Sequence, residues 1–352
     1  MIAGLPVWPR CWLGGLAISA VLLGPALAKN PVPVVSPGFT PIEITVSPVS
    51  FDRIDPDHQR FGALVWRGGI EISSPNEGFG GFSDISLNRE GNQVLAISDE
   101  GRWLSAGLTY EGGQLTGLDH AGMAKMTGSQ GQALGPKQWS DAEAMATGPQ
   151  GLDGPIWVAF ERWHRVETYR LGQSGSLVWQ KRLRLPPDIA SAPVNQGIEA
   201  MTLLGPNTAA QGSLLVVTEG VRDGAGDSVA WLLGGKNPGR LTVLRDEDYV
   251  VTEAVSLPNG DVVLLERHLG SLINFSIRLR RIKAGDIRPG ARLQGQTLFE
   301  GGLRYAIDNM EGLAVSTMPD GEVRLTLISD DNFSRFQRTL ILQFALAETA
   351  TN

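Results

Sequence analysis

Cysteine is nearly absent: the 352-residue chain has one, Cys11, together with only 4 His. A single thiol excludes an internal disulfide framework and any thiolate-rich metal site. Long apolar runs are missing after the first thirty residues, so the body of the chain has no helix of about 18 or more apolar residues to span a bilayer. Several enzyme signatures are missing too. No Gly-x-Ser-x-Gly elbow, Lys-bearing phosphate loop, His-Glu-x-x-His or Arg-His-Gly run occurs, which removes the common serine hydrolases, P-loop enzymes, zincins and histidine phosphatases. Excess positive charge is lacking as well. The formal charge is −7, which argues against nucleic acid or anionic lipid as a bulk-charge partner and is compatible with binding cations.

What is present is a globular composition. The chain is 42% hydrophobic and 19% charged, too apolar for a disordered polymer. Its 44 Gly and 21 Pro point to many turns. At the N-terminus, Arg10 is followed by the apolar run Trp12 to Leu23, and Ala26-Leu27-Ala28 supplies a small-x-small cleavage site. Residues 1–28 are therefore read as a signal peptide, giving an expected periplasmic or secreted chain without membrane insertion. An extended Pro-rich leader and first strand are expected over 29–60, one domain over 61–346 and a tail over 347–352.

The body repeats. An acid beside small or apolar residues opens a short strand, a turn follows, and a second strand ends on another acid. First acids stand at Asp84, Glu143, Glu199, Glu253 and Glu311, spaced by 59, 56, 54 and 58 residues. Units of this size suit the four-stranded antiparallel blades of a β-propeller. Turn signals such as Pro258-Asn259-Gly260-Asp261 separate the paired strands. Third and fourth strands are expected at Arg165 to Leu171 and Leu177 to Leu185, and at Phe275 to Ile282 and Arg292 to Phe299. The last unit ends after Thr339 to Leu346, so Phe61 to Ser73 is expected to supply its fourth strand and close the ring. The fold class is thus all-β, a propeller of five blades, with a sixth built from Ile42 to Phe79 as the alternative. The best helical stretch, near Ala121 to Met126, is too short to alter this.

The inner strands of a propeller line its channel, so the five first acids are expected to form a ring at one mouth. Such a ring raises the pKa of its members unless cations intervene. Ca²⁺, which takes 6–8 oxygen ligands, suits it. Arginines could also satisfy the acids, through Asp99 with Arg102, Glu161 with Arg162, Glu219 with Arg222, Glu266 with Arg267, and Asp331 with Arg335. In that reading the acids only lock blades together. Residues unique to one unit are further site candidates: Asn195-Gln196-Gly197, Asp308-Asn309, the run Asp330 to Ser334, and His164 and His268 at matching blade edges. The aspartates of Asp223 to Asp227, and Asp52, Asp55 and Asp57, read as solvated turns. Trp103, Trp163 and Trp231 read as core residues opening third strands.

Asp308-Asn-Met-Glu-Gly-Leu-Ala-Val315, Leu327-Ile-Ser-Asp-Asp-Asn-Phe-Ser334 and Gln337-Arg338-Thr-Leu resemble the bacterial family termed "esterase-like activity of phytase". Gly80-Gly81-Phe82-Ser83, Phe160-Glu161-Arg162, Asn195 to Glu199 and Leu265-Glu266-Arg267 fit the same pattern. The resemblance implies an exported propeller acting on phosphoric esters and is similar in architecture to calcium-dependent phytases. On this basis Glu311, Asp331, Glu199 and His268 are expected to be catalytic. Asp84, Glu143, Glu199, Glu253, Glu311, Asp330 and Asn332 are expected to bind calcium, and Arg162, Arg267 and Arg338 the substrate. No Lys/Arg cluster suited to a polyphosphorylated substrate is evident. The expected partner is a small-molecule ester, on a monomer. The alternatives are a non-catalytic propeller binding a protein or small ligand in the cell envelope, and a lactonase-like hydrolase of a non-phosphate ester.

Overall fold

The computed structural model describes Met1 and residues 39–172, 176–246, 249–269 and 275–347. The expected signal peptide, the leader up to residue 38 and residues 348–352 lie outside these. Short strands rich in Val, Ile and Leu, separated by Gly, Asn and Asp turns, fold as five antiparallel blades. Blade 1 comprises Phe82–Leu87, Gln93–Ser98, Arg102–Glu111 and Gln114–Lys125. Blade 2 comprises Ala142–Gly148, Gly151–Phe160, Arg165–Leu171 and Leu177–Arg182. Blade 3 comprises Ile198–Leu203, Leu214–Arg222, Ser228–Leu233 and Gly239–Val243. Blade 4 comprises Val250–Ser256, Val262–Leu269, Phe275–Ile282 and Gln296–Gly302.

Blade 5 is composite. Asn309–Thr317, Val323–Asp330 and Thr339–Leu346 are completed by Leu64–Ser73, with Ile341 opposite Ile70 and Leu346 opposite Leu64. The ring therefore closes on strands from both ends of the domain, as the short last repeat requires. The segment Ile42 to Phe79 makes no sixth blade: it supplies this outer strand, and Thr45–Pro48 pairs with it. Each inner strand packs on the next, and that of blade 5 packs on that of blade 1.

Alternation along the strands sends one set of side chains to each neighbouring blade. Five apolar clusters result, one at each blade interface. Trp103 and Tyr169 fill that between blades 1 and 2. Phe51 stands between Phe61, Trp66, Phe299, Tyr305 and Phe344, with ring centroids 4.8–5.6 Å away, and so ties the entering chain to blades 4 and 5.

Four readings of the sequence are corrected. The stretch Ala121 to Met126 is mostly strand, because its pairing with Arg102–Glu111 outweighs a weak helical pattern. Arg292–Leu293 leaves blade 4 and pairs in parallel with Gly239–Val243 of blade 3. Asp52 is no solvated turn: it is buried against Arg304 at 2.7 Å, which holds its carboxyl down at about 2. Asp223 and Asp227 both pair with Arg292.

Blades 5 and 1 pack tightly at Gly312. A Cβ there would lie 2.7 Å from the Asp84 Cα and 2.8 Å from the Ile85 nitrogen. Both are backbone atoms that cannot swing aside. Gly312→Ala is expected to cost about 2–3 kcal/mol in denaturant unfolding, whereas Gly285→Ala, with nothing within 4 Å, stays within about 0.5 kcal/mol of the parent.

Candidate functional site

Each inner strand starts with a β-bulge opposite the end of its second strand. The bulged residue is Glu143, Glu199 and Glu311 in blades 2, 3 and 5, but Ser83 and Thr252 in blades 1 and 4. A bulge leaves one residue unpaired and re-aims its side chain. The five first acids are therefore not equivalent. Three sit on bulges at the channel mouth, while Asp84 and Glu253 stand one residue further along and turn elsewhere.

Those two meet. Both are fully buried. Asp84 accepts N–H groups from Ile85 and Met145, each at 2.6 Å, and from the backbone of Leu313. Glu253 Oε1 accepts N–H groups from Met201 at 2.9 Å and Ala254 at 2.6 Å. The Glu253 carboxyl hydrogen-bonds to that of Asp84. Its Oε2 takes no N–H or O–H donor, as suits an oxygen that carries the proton. One carboxyl pair thus joins inner strands from all five blades. Burial drives both pKa values up, Asp84 to about 7 and Glu253 well above the carboxylate range, the latter also through the charge of Asp84. Both Asp84 oxygens and Glu253 Oε1 are occupied by N–H groups, which oppose a cation, so the structure sets the pair apart from the expected metal ring.

The mouth keeps the other acids. Asp141, Glu143 and Glu161 bring carboxylate oxygens within 4.8 Å of one another, a group able to hold a metal ion. Burial and then the charge of Glu199 push the Glu143 carboxyl well up. Glu199 is raised likewise by burial and by Glu161, with which it shares a hydrogen bond. Asp330 rises to about 8 through burial and the charge of Glu311. Among the described residues no ion pair within 4.0 Å reaches Glu143, Glu161, Glu199, Glu219 or Asp330.

Three cations enter this set, but not with the partners adjacent in sequence. Arg162 Nε reaches Asp141 at 2.6 Å, and Lys137 reaches Asp141 at 3.0 Å and also Asp99. Arg267 binds Glu311 at 2.6 Å and Asn309. Asp141 takes Arg162 in place of the expected Glu161–Arg162 latch, and the Glu266–Arg267 latch is replaced for a geometric reason. The register of blade 4 is offset by one, so Arg267 occupies the place of Asp99, Glu161, Glu219 and Asp330. Glu266 instead points into the blade, bound by Arg278 at 2.8 Å and Arg280 at 2.5 Å.

The remaining expected residues are dispersed. Asp331 accepts N–H groups of Gly81 and Phe333, both at 3.0 Å, and the Thr339 hydroxyl at 3.1 Å, which makes it a clasp between blades 5 and 1. Asn332 is exposed, and its N–H donates to Asp330 at 2.7 Å. Arg338 lies 3.4 Å from Glu71 and 3.6 Å from Asp308. His268 is half-buried beside Tyr249, with ring centroids 5.5 Å apart. His164 Nε2 lies 2.9 Å from the Ala192 carbonyl.

Two elements escaped the sequence reading. Asp141 and Lys137 precede the blade 2 repeat and were invisible to a search for repeated positions. Trp163, read as core, is 42% exposed and sits edge-to-face on exposed Trp139 at 4.9 Å. Phe333 and Phe336 are exposed as well. Trp103 is buried as expected.

Glu253→Gln keeps both backbone N–H acceptors and replaces the shared proton by an amide N–H. It is expected to cost about 1 kcal/mol or less. Glu253→Ala strands the buried Asp84 and two N–H groups, for a loss of about 3 kcal/mol. Because raised carboxyls are held neutral in the fold, their stabilisation is complete below the ordinary carboxylate range and is lost as pH rises through 7. Chemical denaturation at pH 5 and 8 should show a smaller drop in Glu253→Gln than in the parent.

A family model described as "Esterase-like activity of phytase" matches residues 77–333. No curated protein matches the sequence. Similar solved structures include a protein of unknown function from Dyadobacter fermentans, 12% identical, covering 88% of this chain and 94% of that one with a TM-score of 0.38. A protein of unknown function from Bacteroides caccae is 10% identical over 69% of this chain and 67% of its own, with a TM-score of 0.28. The β-propeller domain of Cps50 (Swd1) from Myceliophteria thermophila is 11% identical over 72% and 67%, with a TM-score of 0.34.

Proposed function

The chain belongs to the phytase-like, "esterase-like activity of phytase" family, and on that premise we propose that it is an exported propeller hydrolase that acts on a phosphoric ester with calcium at the acidic mouth. The observation that carries this reading is the convergence of Asp141, Glu143 and Glu161 oxygens within 4.8 Å. All three are hard oxygen donors, and more acids than cations surround them, so the site suits Ca²⁺ better than a soft transition metal. Glu199 and Glu311 complete the ligand set from the facing bulges. Bound there, calcium would polarise a phosphoryl oxygen and acidify a water.

The chain's own groups do the rest. Arg162 and Arg267 stand at the mouth and can turn from Asp141 and Glu311 to an ester phosphate, since guanidinium matches either oxyanion. Trp139 and Trp163 offer an apolar surface to the rest of the ester. The raised carboxyl of Asp330, at about 8, can hold a proton near neutral pH and deliver it to a leaving oxygen. The small number of cations at the mouth favours a monoester or diester over a polyphosphate. Export follows the Ala26-Leu27-Ala28 signal, and among the described residues no helix is long and apolar enough to cross a membrane. The protein is proposed to act as a monomer.

A second reading, a non-catalytic binding propeller, is favoured by the ion pairs of Arg162, Lys137 and Arg267, which already neutralise part of the mouth. The two separate in calorimetry on chelator-treated protein. The hydrolase reading expects calcium binding that tightens as pH rises from 5.5 to 8 and releases protons, because raised carboxyls must ionise first. It also expects calcium-dependent turnover of a phosphomonoester panel, lowered at least 100-fold in Glu143→Gln. Calcium binding without turnover of phosphate esters or lactones would support the binding module. No calcium heat at either pH would remove the metal.

A further inference from the structure

The second strand of blade 3 bulges where it reaches the mouth, and the expected Glu219–Arg222 latch does not form. Its pairing with Ser228–Leu233 jumps from Val217 opposite Ala230 to Arg222 opposite Ser228. The Thr218 hydroxyl braces the bulge, 3.1 Å from the Val221 carbonyl and 2.8 Å from that of Val229. Arg222 is thereby carried past Glu219 to the base of the turn Asp223 to Asp227. Arg245 comes to the same turn from the connection to blade 4, where its backbone N–H donates to Asp227 Oδ1 at 2.9 Å.

The acids around this turn are already bound. Asp223 and Asp227 both take Arg292, Asp246 takes Arg278 at 2.7 Å, and Glu311 takes Arg267 at 2.6 Å. Arg222 and Arg245 are half-buried, and among the described residues neither guanidinium has a carboxylate within 4.0 Å. Each makes one long bond to a backbone carbonyl, Arg222 to Gly226 and Arg245 to Tyr249, both at 3.4 Å. A guanidinium has five N–H donors, so most of theirs have no partner among the described residues. The two charges act on each other: burial and then Arg245 lower the Arg222 pKa. Glu219 lies within reach of both. Burial raises its carboxyl, and the charges of Arg267, Arg222 and Arg245 oppose that rise. One carboxyl whose ionisation burial disfavours thus stands among three guanidiniums, of which only Arg267 has an ion-pair partner.

We propose that Arg222 and Arg245 form an oxyanion subsite on the blade 3 side of the mouth, which takes a doubly charged phosphate group. Two like charges held together without a counter-ion favour a dianion, and guanidinium forks match phosphate oxygens. The proposal rests on the reading of the mouth as a substrate site and deepens it: the ester carries one acidic group besides the scissile phosphate. Asp141, Glu143 and Glu161 belong to blade 2 and its approach, whereas Arg222 and Arg245 belong to blade 3 and its exit. The two ends of one ligand are then held by different blades.

The test is calorimetry of inorganic phosphate into calcium-free protein, with ionic strength held constant by sodium chloride. The parent should bind phosphate, and Arg222→Gln and Arg245→Gln should each weaken it about tenfold, the size of a charge-assisted hydrogen bond. Arg222→Lys, which keeps the charge, should recover part of the loss, and Arg162→Gln, in blade 2, should change little. Without phosphate, removing an unpaired like charge should leave the melting temperature equal or higher, whereas loss of a structural latch would lower it. In a second arm, with calcium present, 1,3-propanediol bisphosphate should bind about tenfold tighter than propyl phosphate, and Arg222→Gln should erase that advantage. No phosphate heat in the parent, or heat that both glutamine variants keep, would overturn the subsite. So would heat lost in Arg162→Gln alone. Equal binding of the two esters would overturn the second acidic group on the substrate. Neither arm reads turnover, so failure of the hydrolase reading has its own signature: phosphate bound at Arg222 and Arg245 with no ester cleaved.

Discussion

A proton shared between two buried carboxyls ties the architecture together. Asp84 and Glu253 receive backbone N–H groups from blades 2, 3 and 5 as well as their own. Five inner strands that meet edge-on in a channel have N–H groups with no regular partner, and leaving these unpaired would be costly. A carboxyl is a compact acceptor for several at once. Two such carboxylates facing each other could not both be ionised in so dry a place, so the pair retains a proton. The apolar clusters hold neighbouring blades face to face, and the carboxyl pair fixes where their inner edges converge.

The bulges decide which acids do this and which face solvent. A shift of one residue in Phe82–Leu87 and Val250–Ser256 takes Asp84 and Glu253 out of the mouth and leaves Glu143, Glu199 and Glu311 in it. In blade 4 the second strand is offset as well, which brings Arg267 to the mouth and sends Glu266 to Arg278 and Arg280 inside the blade. One geometric device therefore divides a repeated acidic residue into two chemical kinds. One kind is neutralised by a proton and backbone N–H groups. The other is left short of counter-charge, which is the condition under which a cation binds.

Much of this was legible in the sequence. The spacing of the acids marks five units, and the missing strand after Thr339–Leu346 points to Leu64–Ser73 as its complement. Legibility stopped at single-residue register. Ser83-Asp84 and Thr252-Glu253 look like the other repeats when the acid is the landmark, although a clue is present. Glu143, Glu199 and Glu311 are each preceded by an apolar residue, Ala142, Ile198 or Met310, and followed by Ala144, Ala200 or Gly312. Asp84 and Glu253 are preceded by a hydroxyl residue. Asp141 and Lys137 were missed because a ligand supplied once, from a connecting loop, leaves no periodic trace. Trp163 was misread because the sequence does not show that its strand starts only at Arg165.

The division of the acids is tested most directly by terbium luminescence, excited through tryptophan, since Trp139 and Trp163 flank the mouth. The account predicts terbium emission from chelator-treated protein that calcium competes away. That emission should be lost in Glu143→Gln and retained in Glu253→Gln. No sensitised emission, or emission that survives Glu143→Gln and vanishes in Glu253→Gln, would contradict it.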